Sequence, residues 1–273
     1  MLWRSGEPEP ARKALEAALA LEPRGALARV RLGALLLEQK RTDEAMKHLD
    51  QATSLDARLA EAQFWLGKAL LVRGETASAL ERLRQATRLA PGEAAYQVQL
   101  GEVLERSGQV PEAVGAYRAA ISAAPRSPDG LLHLGRLFAS QGDCRQAMPW
   151  FQKAIEVAPD PELARIELAG CQLRSGRAAE AVATYQKVLR GDPKRVEVYY
   201  LLARAVHEAQ GLRQAVPWYE KAAVAEPGNP MPHLYLGYWH KERGQRAQAV
   251  QEFRKYLAER PDADDRKDVE REL

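Results

Sequence analysis

Five histidines, two cysteines and 37 carboxylates are the residues of this chain that could do chemistry. Metal binding needs several such ligands brought together, and nucleophilic catalysis needs a nucleophile beside a base. His48, His133 and His207 are scattered, while His233 and His240 lie seven residues apart. Seven residues is two helical turns, too far for two imidazoles to share a metal without further ligands. Cys144 and Cys171 are 27 residues apart, with no CxxC or Cys/His spacing around them. They form neither a disulfide framework nor a zinc site and read as small packing thiols. No Gly-rich phosphate loop, nucleophile elbow or HExxH sequence occurs. The carboxylates scatter over predicted helix surfaces as solvated charge, often near Arg or Lys at helical spacing. The expectation is a non-catalytic protein without metal or cofactor.

Charge narrows the partners. The chain has 40 basic and 37 acidic residues, a net charge of +3. The balance is even along the sequence, with no concentrated positive stretch of the kind that displaces counterions from nucleic acid. No apolar run approaches the ~18 residues that a membrane span needs. Glu16 and Glu22 interrupt the only N-terminal apolar stretch, Ala14 to Leu21, so no signal core is legible. The expected partner is a protein or peptide, with no nucleic acid and no membrane span, and the chain as given reads as cytoplasmic.

Anything the side chains bind must be positioned by helices, because Ala, Leu, Glu and Arg dominate and are strong helix formers. A pattern returns every 34 residues. Pro23, Pro91, Pro125, Pro159, Pro193, Pro227 and Pro261 are in phase, with Ala57 standing in once. Ten residues after each comes a small residue: Gly33, Gly67, Gly101, Gly135, Ala169, Ala203 or Gly237. Leucine precedes each of these without exception: Leu32, Leu66, Leu100, Leu134, Leu168, Leu202 and Leu236. Twelve residues after the small column stands alanine, again without exception: Ala45, Ala79, Ala113, Ala147, Ala181, Ala215 and Ala249. Four further on is a large residue: Leu49, Leu83, Tyr117, Phe151, Tyr185, Tyr219 or Phe253. Each unit therefore reads as two helices of about 13 residues, a typical helix length. Gly74, Gly108, Gly142, Gly176 or Gly244 marks the turn between them. The sixth repeat moves its glycine to Gly211, and the first has Lys40 in its place. The proline closes the second helix. The small residues and the alanines let paired helices approach closely, and stacking buries what one hairpin cannot. Pro149 and Pro217, each followed by Trp (Trp150, Trp218), fall inside predicted second helices and are expected to kink them mildly.

The combination of Leu-Gly, Ala-x3-aromatic and Pro at this period resembles the tetratricopeptide repeat. The leading tryptophan of that pattern is replaced by Arg29, Gln63, Gln97, Leu131, Arg165, Tyr199 and His233. The resemblance implies an all-α fold, an α-solenoid in which antiparallel helix hairpins stack into a right-handed superhelix. It also implies a concave groove, lined by the first helices, that takes extended or helical peptides. The expected organisation is a partial repeat over 1–25 and seven repeats at 26–59, 60–93, 94–127, 128–161, 162–195, 196–229 and 230–263. A charged capping helix follows over 264–273, N-capped by the Asp262 to Asp265 run.

Helical phase then selects candidate groove residues. Three before the small column stand Val30, Phe64, Val98, Leu132, Ile166, Tyr200 and Leu234, apolar throughout. One after it stand Ala34, Lys68, Glu102, Arg136, Gly170, Arg204 and Tyr238. An apolar floor flanked by Lys68, Arg136 and Arg204 would suit a peptide with hydrophobic side chains and some acidic groups; part of the floor could instead pack between repeats. Phe64, Tyr200 and Tyr238 are the expected aromatic anchors. Two groove chemistries of the family do not carry over. The carboxylate clamp needs paired Lys and Asn, and the asparagine ladder needs Asn on the groove. The −3 column has no Lys, and Asn229, the single asparagine, falls in a loop.

The function expected is a protein–protein interaction scaffold. The array starts mid-repeat, with Ser5-Gly6 in phase with an inter-helix turn and Leu2 and Trp3 as the remnant of a first helix. Leu15 and Leu19 would then lack their usual cover. That leaves open an alternative in which this is the recruiting portion of a longer enzyme, signalling or envelope-assembly protein, periplasmic or membrane-anchored if a leader lies upstream.

Overall fold

The computed structural model describes residues 8–273, and among these the regular structure is helical. The expected Ser5-Gly6 turn and the Leu2–Trp3 remnant lie outside the described residues. Helix α1 spans Pro8–Leu21. Seven hairpins follow: α2 (Ala26–Glu38) with α3 (Thr42–Leu55), α4 (Ala60–Val72) with α5 (Thr76–Leu89), and α6 (Ala94–Arg106) with α7 (Val110–Ala123). Then come α8 (Pro128–Ser140) with α9 (Cys144–Val157), α10 (Glu162–Arg174) with α11 (Ala178–Gly191), and α12 (Val196–Gln210) with α13 (Leu212–Ala225). The last hairpin is α14 (Met231–Glu242) with α15 (Arg246–Glu259), followed by α16 (Arg266–Glu270). The chain forms two compact units, one ending at Leu134 and one beginning at Gly135. The first and second helices of a hairpin are called A and B below.

The recurring columns are the core. All seven column alanines are buried, as are all seven column leucines. Each such leucine contributes about 1.5–3 kcal/mol on burial. The small column sits against the large residue of the paired B helix. A Cβ added to Gly101 would lie 2.4 Å from the Tyr117 ring, and one added to Gly237 would lie 2.5 Å from that of Phe253. Those positions are glycine because the ring already occupies the space of a methyl group.

The turns follow from backbone stereochemistry. Gly74, Gly108, Gly142, Gly176 and Gly244 all have φ between 70° and 83°, the left-handed region open to glycine at little cost. Lys40 adopts φ 62° in the same turn of the first hairpin, where an L side chain is strained. Asp143 caps α9 by accepting from the Gln146 amide at 2.9 Å. Pro149 and Pro217 stand inside α9 and α13, and both helices continue through them.

The C-terminal segment departs from expectation. Instead of a helix over 264–273, α16 has five residues. Its N-cap, Asp265, makes no side-chain cap bond; its carboxylate accepts from the Tyr256 hydroxyl at 2.6 Å. Val269 is fully buried with Phe253 and Tyr256, whereas Leu273 remains exposed. A buried phenol outcompetes the cap for the aspartate. At the other end Leu15 and Leu19 are half-buried and pack on the Val30–Leu49–Leu66 cluster.

Candidate functional site

The A-helix face of the first unit divides the predicted residues into two kinds. Val30 and Ala34 are fully buried. Phe64, expected as an exposed anchor, is only 9% exposed. Its ring stacks on Tyr96 at 4.3 Å and meets Trp65 edge-on at 5.7 Å, so it packs between repeats. Lys68 holds its ammonium 4.5 Å from the centre of the Trp65 ring, a cation–π contact on the open face. Val98 and Glu102 line a cleft of about 240 Å³ with Gln99, Asp129 and His133. Glu102 accepts from Gln99 Nε2 at 3.0 Å and lies 3.4 Å from His133 Nε2. The His133 ring stacks on Tyr117, whose hydroxyl donates to Glu105 at 2.8 Å. Burial and the Glu105 carboxylate together push the Tyr117 phenol well above its ordinary range. Leu132 is half-buried on the same helix as His133.

In the second unit Arg136 is not a free cation: its Nε donates to Glu167 at 2.7 Å. Ile166 packs against the core. Tyr200 is half-buried 6.3 Å from Tyr219, and burial pushes its phenol up to about 12. Arg204 stays exposed, with only a 4.0 Å approach to Glu208. Leu234 is buried at 7% exposure and contributes to the core, not to an open floor. Tyr238 is half-buried, edge-on to Phe253 at 5.2 Å. The apolar floor is thus partly inter-repeat packing: a −3 residue faces the next hairpin as much as solvent.

The contacts also reveal a column that helical phase alone did not select. Two residues before the small column stand Arg31, Trp65, Gln99, His133, Glu167, Leu201 and Tyr235. Each −2 residue is three positions from the +1 residue of its own helix, which explains Trp65 with Lys68 and Gln99 with Glu102. It also meets the +1 residue of the preceding repeat, 31 positions earlier, as in His133 with Glu102 and Glu167 with Arg136. In α14 Tyr235 stacks on Tyr219 at 4.7 Å, with His207 edge-on at 5.4 Å. The signal was present in the sequence as a varied column of polar, aromatic and aliphatic residues, but its partner lies one repeat away.

Cys144 and Cys171, unrelated by spacing, are brought to one guanidinium. Arg174 Nε lies 3.3 Å from the Cys144 sulfur and Nη2 3.2 Å from the Cys171 sulfur. Burial, aided by the neighbouring thiol, pushes Cys171 up to about 12, which keeps it protonated and unreactive. Among the described residues no group of three or more His, Cys, Asp or Glu could hold a metal ion. No described helix is long and apolar enough to cross a membrane.

Tetratricopeptide repeat family models match residues 2–60, 47–94, 65–128, 138–205, 172–234 and 233–263. The chain belongs to the tetratricopeptide repeat family. A comparison with curated proteins gave no match. Among solved structures, the chain is similar to the C-terminal part of a TPR repeat-containing protein from Cytophaga hutchinsonii. That match has a TM-score of 0.73 at 19% identity, covering 88% of this chain and 98% of the other. PilF of Pseudomonas aeruginosa gives 0.64 at 21% identity, over 78% and 97%. A chain of the APC/C hetero-tetramer Cut9–Hcn1 gives 0.61 at 17% identity, over 85% of this chain and 46% of that one. At these identities the likeness establishes the TPR fold. The inward columns described above are what makes this chain a TPR stack, a fold consistent with a protein-interaction scaffold.

Proposed function

We propose that this TPR protein is a non-catalytic adaptor that holds a peptide or partner protein on the A-helix faces of its hairpins. The observation that carries this reading is the ladder of −2 and +1 residues. Each unit offers its own varied chemistry: in the first a lysine on Trp65 and the Glu102–His133 cleft, in the second the Arg136–Glu167 pair and Arg204 near Tyr200. The inward columns repeat one residue type, whereas this ladder varies, as a surface with a specific ligand must. The cleft beside Val98 is large enough for one side chain, and its carboxylates Glu102 and Asp129 suit a basic or hydrogen-bond-donating group. Arg204 favours an acidic one. A reducing compartment such as the cytoplasm suits the two buried free thiols.

Site-directed photocrosslinking tests this. A benzophenone amino acid at Glu102 or Arg204 is expected to capture a discrete polypeptide in cells. Absence of any adduct from both positions, in a variant that melts like the parent, would contradict the reading.

A further inference from the structure

The B-helix face of the second unit carries a column that the adaptor surface does not use. Two residues after each large core residue stand Lys153, Lys187, Lys221 and Lys255, on α9, α11, α13 and α15 in succession. All four are exposed. The first unit has Gln51, Gln85 and Ala119 at the same position, so the repeat itself does not require lysine. In two of the four hairpins the lysine follows a tryptophan by three residues, and its ammonium lies over that ring: 4.8 Å for Lys153 on Trp150 and 4.5 Å for Lys221 on Trp218. A tryptophan held flat by its own cation is a preformed platform. Beside Trp218 the surface opens into two clefts. One, of about 430 Å³, is lined by Leu189, Arg190, Tyr199, Trp218 and Lys221. The other, of about 550 Å³, is lined by Tyr199, Pro217, Glu220 and Val224. Val224 is 81% exposed there, an apolar side chain left in water.

We infer that this face docks an acidic polypeptide segment with interspersed aromatic or aliphatic side chains, its carboxylates meeting the lysine column and its apolar side chains entering the clefts beside Trp218. Charge complementarity selects the occupant. Four cations at one register position ask for an anionic chain, with Arg190 adding a fifth beside Lys221. A carboxylate-bearing polypeptide fits better than a nucleic acid or an anionic bilayer. Glu156 and Glu220 stand exposed among the lysines and would repel a uniform phosphate array, whereas a polypeptide can place uncharged residues against them. Lys255 is already paired with Glu252 at 2.8 Å, so the centre of the column, Lys187 and Lys221, carries most of the attraction.

The test uses the full chain and a fluorescein-labelled peptide of mixed Glu and Phe, long enough to cross four hairpins, read by anisotropy. Saturable binding is expected that weakens at least about tenfold from low to physiological salt. The variant K153E/K187E/K221E/K255E is expected to lose at least about tenfold in affinity, while the matching Lys→Arg variant keeps it. W150A/W218A is expected to weaken binding without changing its salt dependence. Should the fourfold Glu variant melt early, K187E/K221E replaces it. The inference is overturned if the parent chain shows no salt-sensitive binding or the Glu variants bind as the parent does. It is equally overturned if a single-stranded oligonucleotide or phosphatidylserine vesicles compete better than the acidic peptide.

Discussion

In the first unit the large core column is Leu49, Leu83 and Tyr117, whereas in the second it is aromatic throughout: Phe151, Tyr185, Tyr219 and Phe253. The partners of those residues differ too. All three in the first unit face glycine, while in the repeats of Tyr185 and Tyr219 the small column holds Ala169 and Ala203, all four in one core cluster. Both solutions bury the column alanines and leucines equally well. The scaffold therefore fixes the small–large pairing and leaves the shape of the large residue open. Outward columns are freer still: lysine recurs on the B helices of the second unit and nowhere at that position in the first. Scaffold and surface are written in separate columns.

Several substitutions probe that separation. Leu66→Ala in the first unit and Leu202→Ala in the second are each expected to cost about 2–5 kcal/mol, since both leucines are buried in equivalent contacts. A urea melt that shows one unit tolerating the change at under half the cost of the other would break the equivalence. Gly101→Ala should cost about 1–3 kcal/mol, because the new methyl meets the rigid Tyr117 ring at 2.4 Å. Gly67→Ala should be close to neutral. Its methyl meets the flexible Leu83 at 3.0 Å, and the strain is offset by the gain of about 1 kcal/mol from replacing a helical glycine. Equal effects at the two positions would remove ring rigidity as the cause. Lys40→Gly should stabilise the first hairpin by about 1 kcal/mol by relieving the left-handed backbone, visible as a raised Tm.

The least effect at neutral pH, and a clear one in alkali, belongs to three buried or half-buried phenols. Burial pushes Tyr185 and Tyr200 up to about 12, and Tyr96 in the first unit likewise. A raised phenol pKa means that the folded state prefers the neutral form. The stability this represents is fully present below the unfolded pKa of about 10 and is lost as pH rises through the folded value. Tyrosinate absorbance from these residues should therefore rise only together with the loss of helical circular dichroism. Complete ionisation near the unfolded value with helices intact would contradict their burial.

The fold was legible because its determinants are monotonous: one residue type at a fixed step cannot be mistaken, and inward columns are selected for packing alone. The turn glycines were legible for a similar stereochemical reason, and Lys40 shows the same left-handed backbone persisting without its preferred residue. The site was legible only in part. Helical phase placed Phe64, Val30 and Leu234 on the A-helix face, but phase cannot tell a residue facing solvent from one facing the next hairpin. His133 and Glu167 escaped because their partners, Glu102 and Arg136, lie 31 residues back along the chain and meet them only through stacking. The meeting of Cys144 and Cys171 on Arg174 has the same origin.

The separation of scaffold from surface is tested most directly by pairing a melt with a capture. In the variant R204E the exposed member of the outward column changes sign while every inward column stays intact. Stability is expected to hold within about 0.5 kcal/mol, and the polypeptide captured by a benzophenone amino acid at Tyr238 in the parent should be lost. A variant that keeps that adduct, or that unfolds as readily as Leu202→Ala, would show that scaffold and binding surface are not separate in this chain.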